Sequence, residues 1–242
     1  NWMADFSDAA KTIQWYFGQG WGDKNTSGVI AVSSLGLIDL LKLTGPIELD
    51  DITIDSQNFT QVMSEQIDND YWKSEKNIKD NEPKTLIKDL YPKILAKTKD
   101  IPTLDLLNFV ANQLSRGRVL AHFNNQKLEQ KAINLGISGK LIPYTSDYLY
   151  INNANISGHK TSLNIQQHID YKVSDSDDSA TSLLTITREH DDLWPHIDNK
   201  NFTRIFTPLG STLENAKLGT DNITDDILIT QESGRTVFGF WF

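Results

Sequence analysis

The spacing of apolar and polar positions gives the chain two halves of different character. Phe6, Ala9, Ala10, Ile13, Tyr16 and Phe17 recur at intervals of three and four, the period of one helix face. Asp5 or Ser7 can cap that helix, and Gly18, Gly20 and Gly22 end it. Ser27–Leu49 is the most distinctive stretch. A β-branched run, Val29 to Val32, leads through Ser33-Ser34 into an apolar segment whose only charges are Asp39 and Lys42, and Gly45-Pro46 closes it before Ile47-Glu48-Leu49. The pattern predicts strand, helix, glycine cap and strand. A helix apolar on nearly every side belongs inside a core. An extended run continues through Asp50–Ile54, and Asp55 and Ser56 open a helix with Phe59, Val62, Met63 and Ile67 inward.

Residues 68–83 are polar and read as a connecting loop, with Tyr71-Trp72 as a local anchor on the core. Leu86, Ile87, Leu90, Ile94 and Leu95 make a helix that Pro92 should kink or split at Tyr91. Pro102 and Thr103 open the next helix, Val119–Phe123 reads as a strand, Leu128 to Leu135 as a helix capped by Gly136, and Tyr148–Ile151 as a strand. Beyond residue 160 the pattern is strands only, at 163–173, 181–189, 202–207, 212–218, 223–230 and 235–242, with polar turns between them. The predicted class is α+β: a mixed α/β part, residues 1–158, packed with a C-terminal antiparallel β-sheet or sandwich, residues 159–242. The Asn at the start and the alternating aromatic strand at the end suggest a piece of a longer chain. The expectation is a first domain lacking its N-terminal strands and a second one truncated at its C-terminal end.

Charge narrows the partners. The net charge is −9, and residues 161–242 hold 6 basic and 13 acidic side chains, so the β half carries most of the excess. That half is a poor partner for nucleic acid or an anionic membrane surface. With no cysteine, disulfides and thiolate chemistry are excluded. No G-x-S-x-G, P-loop, G-x-G-x-x-G or H-E-x-x-H pattern occurs, so no catalytic residue and no cofactor is assigned.

The remaining candidates are polar clusters. Glu189 to Asp198 carries His190, Asp192 and His196, a dense set of possible ligands for a divalent ion; the plainer reading is a polar loop between strands. The acidic Ser174–Ser179 stretch reads as a hairpin turn, and His122 as a hydrogen-bonded core or edge residue. Arg116 and Arg118 flank a glycine and can clamp a phosphate or complement the end of the preceding helix. Residues 152–160 bring Asn153, Asn155, His159 and Lys160 into one junction between the halves. Either its side chains satisfy backbone groups, or amides and Lys160 form a small pocket for an oxygen-rich ligand such as a sugar or phosphate.

The Ser27–Leu49 motif resembles the bacterial domain-of-unknown-function family DUF4012, whose members read D-G-V-I-A-I-D-P, an apolar helix and L-T-G-P-I-E-V. Asn1-Trp2 with Asp5-Phe6, Asp55 to Val62, Val119 to Leu128, Ala154-Asn155 with Gly158 and Lys160, and Gly234 to Trp241 resemble further family motifs in the same order. Met3, Ala4, Ser7, Ser157 and His159 depart from the pattern. The resemblance implies a membrane-anchored protein with this domain on the bacterial cell surface, outside the cytoplasm, the anchor lying outside these residues. On that footing the leading expectation is a non-catalytic module that binds or assembles an envelope glycopolymer or a surface protein. A fainter likeness to the LytR–CpsA–Psr phosphotransferases offers the alternative of an enzyme acting on lipid-linked glycopolymer through Arg116, Arg118 or Lys160. Their recognition motifs are not seen here. A third expectation is a structural subunit of a surface assembly that pairs through its terminal strand, Thr236–Phe242.

Overall fold

The computed structural model describes residues 3–20, 25–49, 52–66, 73–80, 85–142, 147–156, 161–175, 180–191 and 198–242. The fold is α+β, as the sequence pattern predicts, and the chain divides into two compact units, residues 1–142 and 143–242.

In the first unit the described elements are α1 (Phe6–Gly20), β1 (Gly28–Val32), α2 (Ser34–Thr44), β2 (Ile47–Leu49), β3 (Ile52–Ile54), α3 (Phe59–Ser64), α4 (Glu75–Asp80), α5 (Thr85–Thr98), α6 (Thr103–Ser115), β4 (Val119–Phe123) and α7 (Gln126–Asn134). Asp5 sets the start of α1. One carboxylate oxygen accepts the Ser7 N–H at 2.8 Å and the other accepts the Leu141 N–H at 3.0 Å. Phe6, Ala9 and Ala10 then pack on Val29, Ala31 and Leu120 of the antiparallel β1–β4 pair. Ile13, Tyr16 and Phe17, which the helical period puts on the same buried face, are exposed. The alanines allow close approach in the first turns only, and the bulky second half of the helix is left uncovered.

α2 has the expected ends. The Ser33 hydroxyl accepts the Gly36 N–H, and Gly45, at φ 78°, returns its N–H to the Leu41 carbonyl. Its burial differs from the expectation. Only Gly36 and Leu41 are fully buried, and Leu35 is 54% exposed. Leu41 joins Ile47, Leu49, Ile54, Phe59, Met63, Leu90 and Ile94 in the larger core, with Leu37, Ile38 and Leu40 packed at its margin. The extended run after α2 is an antiparallel β2–β3 hairpin, not one strand. Asp55 accepts the N–H groups of Gln57 and Asn58, while Asn58 accepts the N–H of Asp55, a reciprocal cap at the start of α3. The stretch read as a loop contains α4, and Tyr71-Trp72 lie outside the described residues. α5 runs through Pro92 without interruption, because Leu90 and Ile94 on either side are held in the core.

The second unit contains β5 (Tyr150–Asn155), β6 (Ile165–Asp175), β7 (Ala180–His190), β8 (Asn201–Pro208), β9 (Lys217–Leu218), β10 (Asp221–Asn222), β11 (Leu228–Glu232) and β12 (Arg235–Trp241). Four strands form an antiparallel sheet in the order β11-β12-β8-β5, and β6–β7 is a separate two-stranded ribbon. Phe206, Val237 and Ala154 are buried in the sheet. Gly239 lets the Phe202 ring approach, since a Cβ there would lie 2.8 Å from it. Residues 152–155, read as part of a junction, form the edge strand β5 paired with β8. The 212–218 strand shrinks to Lys217–Leu218, which turns back through Gly219 at φ 60° onto Asp221–Asn222. Thr236–Trp241 lies in a central strand, between β11 and β8. Over Arg235–Gly239 both edges are taken, and strand pairing of the kind expected of an assembly subunit is left only to Phe240 and Trp241 on the side away from β8.

Candidate functional site

The largest polar constellation among the described residues belongs to the second unit. Strand alternation builds it. Asn153 and Asn155 lie two apart on β5 and face Thr203 and Asn201, two apart on β8. The Asn153 side-chain oxygen accepts from the Thr203 hydroxyl at 2.8 Å and from Asn201 Nδ2 at 3.3 Å. Asn201 Nδ2 also donates to Thr203 Oγ1 at 2.6 Å. Asn153 Nδ2 donates to Gln167 on the ribbon at 2.9 Å.

The cluster continues toward the short helical turn Thr161–Asn164. Thr161 Oγ1 accepts from Asn155 Nδ2 at 3.0 Å and from Asn199 Nδ2 at 2.8 Å, and Asn199 also reaches Ser162 Oγ at 3.3 Å. Arg188, cross-strand from Gln167, donates from Nη2 to Asn199 Oδ1 at 3.2 Å and stacks over the Phe242 ring. Thr161 and Thr203 are fully buried. Asn201, only 1% exposed, leaves its side-chain oxygen without a hydrogen-bond partner among the described residues, at a cost of about 1–3 kcal/mol. The group consists of amides, hydroxyls and one guanidinium. Such groups donate and accept hydrogen bonds to hydroxyl-rich molecules; they do not activate a nucleophile.

Two carboxylate centres organise the first unit. Asp39, on α2, is hydrogen-bonded by Arg118 Nη1, by Lys42 Nζ at 3.0 Å and by Gln113 Nε2 at 3.2 Å, with Arg116 Nη1 4.0 Å away. The hydrogen bonds of Lys42 and then Gln113, with the charge of Arg118, hold its carboxyl below the ordinary carboxylate range against the opposing effect of desolvation. The phosphate-clamp reading of Arg116 and Arg118 meets this geometry directly. Arg118 and Asp39, 20% and 19% exposed, neutralise each other, and Arg116 caps the end of α6 beside them.

The second centre is Glu129. It accepts the Phe123 N–H at 2.8 Å and the Ser7 hydroxyl at 3.2 Å, and His122 Nδ1 lies 3.1 Å from the same oxygen that Ser7 reaches. The ring nitrogen is off the hydrogen-bond direction, so the His122 contact is one of proximity. Both hydroxyl and ring approach the carboxylate and not each other, which is no nucleophile–base arrangement. His122 is buried, in keeping with a core role.

Of the residues singled out from the sequence, Asn153 and Asn155 are brought together, while Arg116 and Arg118 belong to the Asp39 centre of the other unit. His159, Lys160, Asp192 and His196 lie outside the described residues. His190 ends β7, and among the described residues no group of three potential metal ligands occurs. Thr161, Arg188, Asn199, Asn201 and Thr203 are the additions. Their signal was present as two polar pairs of period two, Asn153/Asn155 and Asn201/Thr203, whose meaning depends on the strand register that joins them.

No helix among the described residues is long and apolar enough to cross a membrane. No curated protein and no solved structure matches the chain. Residues 1–67, which run from α1 through α3 of the first unit, match the family model described as Protein of unknown function (DUF4012), the family whose motifs the sequence resembles.

Proposed function

We propose that this protein is a non-catalytic binding module of the bacterial cell envelope, and that it holds a hydroxyl-rich envelope glycopolymer at the amide–hydroxyl cluster of its second unit. The observation that carries the reading is the linked set Asn153, Asn155, Thr161, Asn199, Asn201 and Thr203. Its members are tied by side chain–side chain hydrogen bonds, which are the minority kind in folded proteins; buried Thr161, Asn201 and Thr203 hold the frame, and exposed Asn153 with half-buried Asn155 and Asn199 are the groups that reach sugar hydroxyls. The family resemblance supports the envelope location, and the phosphate-oriented alternative loses Arg118 to Asp39.

Calorimetric or NMR titration against a panel of envelope oligosaccharides tests the reading. Asn199 is half-buried at the margin of the cluster, so Asn199→Ala should weaken saccharide binding by about tenfold, the equivalent of about 1.4 kcal/mol, while the circular dichroism spectrum is unchanged. Absence of binding to every member of the panel at millimolar concentration defeats the proposal.

A further inference from the structure

Arg188 differs from the arginines whose charge is met within the fold. Arg116 and Arg118 lie against Asp39, and Arg204 donates to Glu232 at 2.7 Å and to Asn152 at 3.1 Å. Arg188 is half-buried on β7, and its one side-chain hydrogen bond among the described residues goes to the neutral Asn199 oxygen. Its guanidinium carbon sits 5.4 Å from the centre of the Phe242 ring, and its Nε is buried without a partner among the described residues. Among the described residues Nη1 makes no hydrogen bond and is not one of the buried unpartnered atoms. Desolvation alone pulls its pKa down from the usual arginine value, yet a guanidinium remains charged at neutral pH. A half-buried cation with no carboxylate partner among the described residues is costly to maintain, and a flat ring behind it offsets only part of that cost.

We propose that Arg188 is the seat for an anionic group, a carboxylate or a phosphate, carried by the glycan that the amide–hydroxyl cluster binds. The inference rests on the binding-module reading above and narrows it to acidic glycopolymers. The chemistry is a charge-assisted hydrogen bond from Nη1 to an oxygen of the anion, with Nη2 anchored on Asn199. Asn199 links this seat to Thr161 and Ser162, and through Thr161 to Asn155. An anion on Arg188 therefore stands next to the donors and acceptors that would meet sugar hydroxyls. The surrounding half is acidic, with 6 basic against 13 acidic residues in 161–242, so long-range attraction does not gather anions there. Affinity depends on hydroxyl and charge contacts made together, which favours an acidic sugar over a free anion.

The test compares four ligands on the intact 242-residue chain: a neutral oligosaccharide, a uronic-acid oligosaccharide of equal length, a phosphate-bearing one, and inorganic phosphate. One or both acidic oligosaccharides should bind about tenfold or more tightly than the neutral one, the scale of a single charge-assisted hydrogen bond, and inorganic phosphate should bind weakly. Which acidic ligand wins identifies the anion. Arg188→Gln should erase the preference for the acidic oligosaccharides, and Arg188→Lys should keep part of it. Equal binding of neutral and acidic oligosaccharides by the unaltered protein overturns this inference and leaves the binding-module reading standing. Failure to bind any oligosaccharide overturns both. The preference of the unaltered protein decides the matter even if a variant folds poorly.

Discussion

Glu129 shows how much a single side chain organises in the first unit. It joins α7 to the β4 backbone through Phe123, to the start of α1 through Ser7, and lies against His122. Burial pushes its pKa up, but the Phe123 amide, His122 and Ser7 together outweigh that and leave it below the ordinary glutamate value. A carboxylate with a depressed folded-state pKa contributes stability that is fully present above the unfolded value, about 4.3, and is lost as pH falls through the folded value. Glu129→Gln puts an amide where two donors converge. Urea unfolding at pH 7 should show a loss of about 1–3 kcal/mol, and the acid side of the stability profile should flatten. An unchanged acid slope in the variant would place the titrating group elsewhere. Asp39 belongs to the same scale: apart from Lys42, three positions on, its partners Gln113, Arg116 and Arg118 are more than seventy positions away, so the sequence around it does not show the centre.

At the scale of the element, α2 separates what local sequence determines from what tertiary packing adds. Its two ends are local chemistry. Ser33→Ala removes an N-cap and should cost about 1 kcal/mol. Gly45→Ala forces a Cβ onto a residue at φ 78°, ψ −178°, and should cost about 1–3 kcal/mol. Thermal unfolding of the two variants and their double mutant should show roughly additive losses, since the caps share no contact; a loss in Ser33→Ala as large as that of a core truncation would mean that Ser33 acts beyond the cap. These ends were legible in the sequence, as were the β1 and β4 strands and the helical periods of α1, α5 and α6. The buried face was not. An apolar segment does not state how many sides its neighbours cover, and Leu35 and the second half of α1 remain exposed. Nor does a polar pair on a strand state what it will face. Asn153 and Asn155 were visible as candidates, while Asn201 and Thr203 became their partners only through the β5–β8 register.

Across the whole molecule, charge and exposed apolar surface set one further expectation. The net charge of −9 at neutral pH keeps copies apart, and that repulsion vanishes near the isoelectric point of about 5.0. The strand β1 then becomes a hazard. Among the described residues it pairs only with β4, its five residues carry no charge or proline, and Ile30 and Val32 are exposed. Natural edges are usually blunted by such residues. Light scattering on lowering the pH should therefore show reversible association setting in around pH 5, while near-ultraviolet circular dichroism still reports native packing. Loss of native packing should follow only below about pH 4.3, as the pH falls toward the depressed pKa values of Glu129 and Asp39. Ile30→Lys, which puts a charge on the open edge, should suppress the association and leave the later unfolding in place. If native packing is lost first and association follows it, the attraction arises from unfolded chains and the edge of β1 is not its cause.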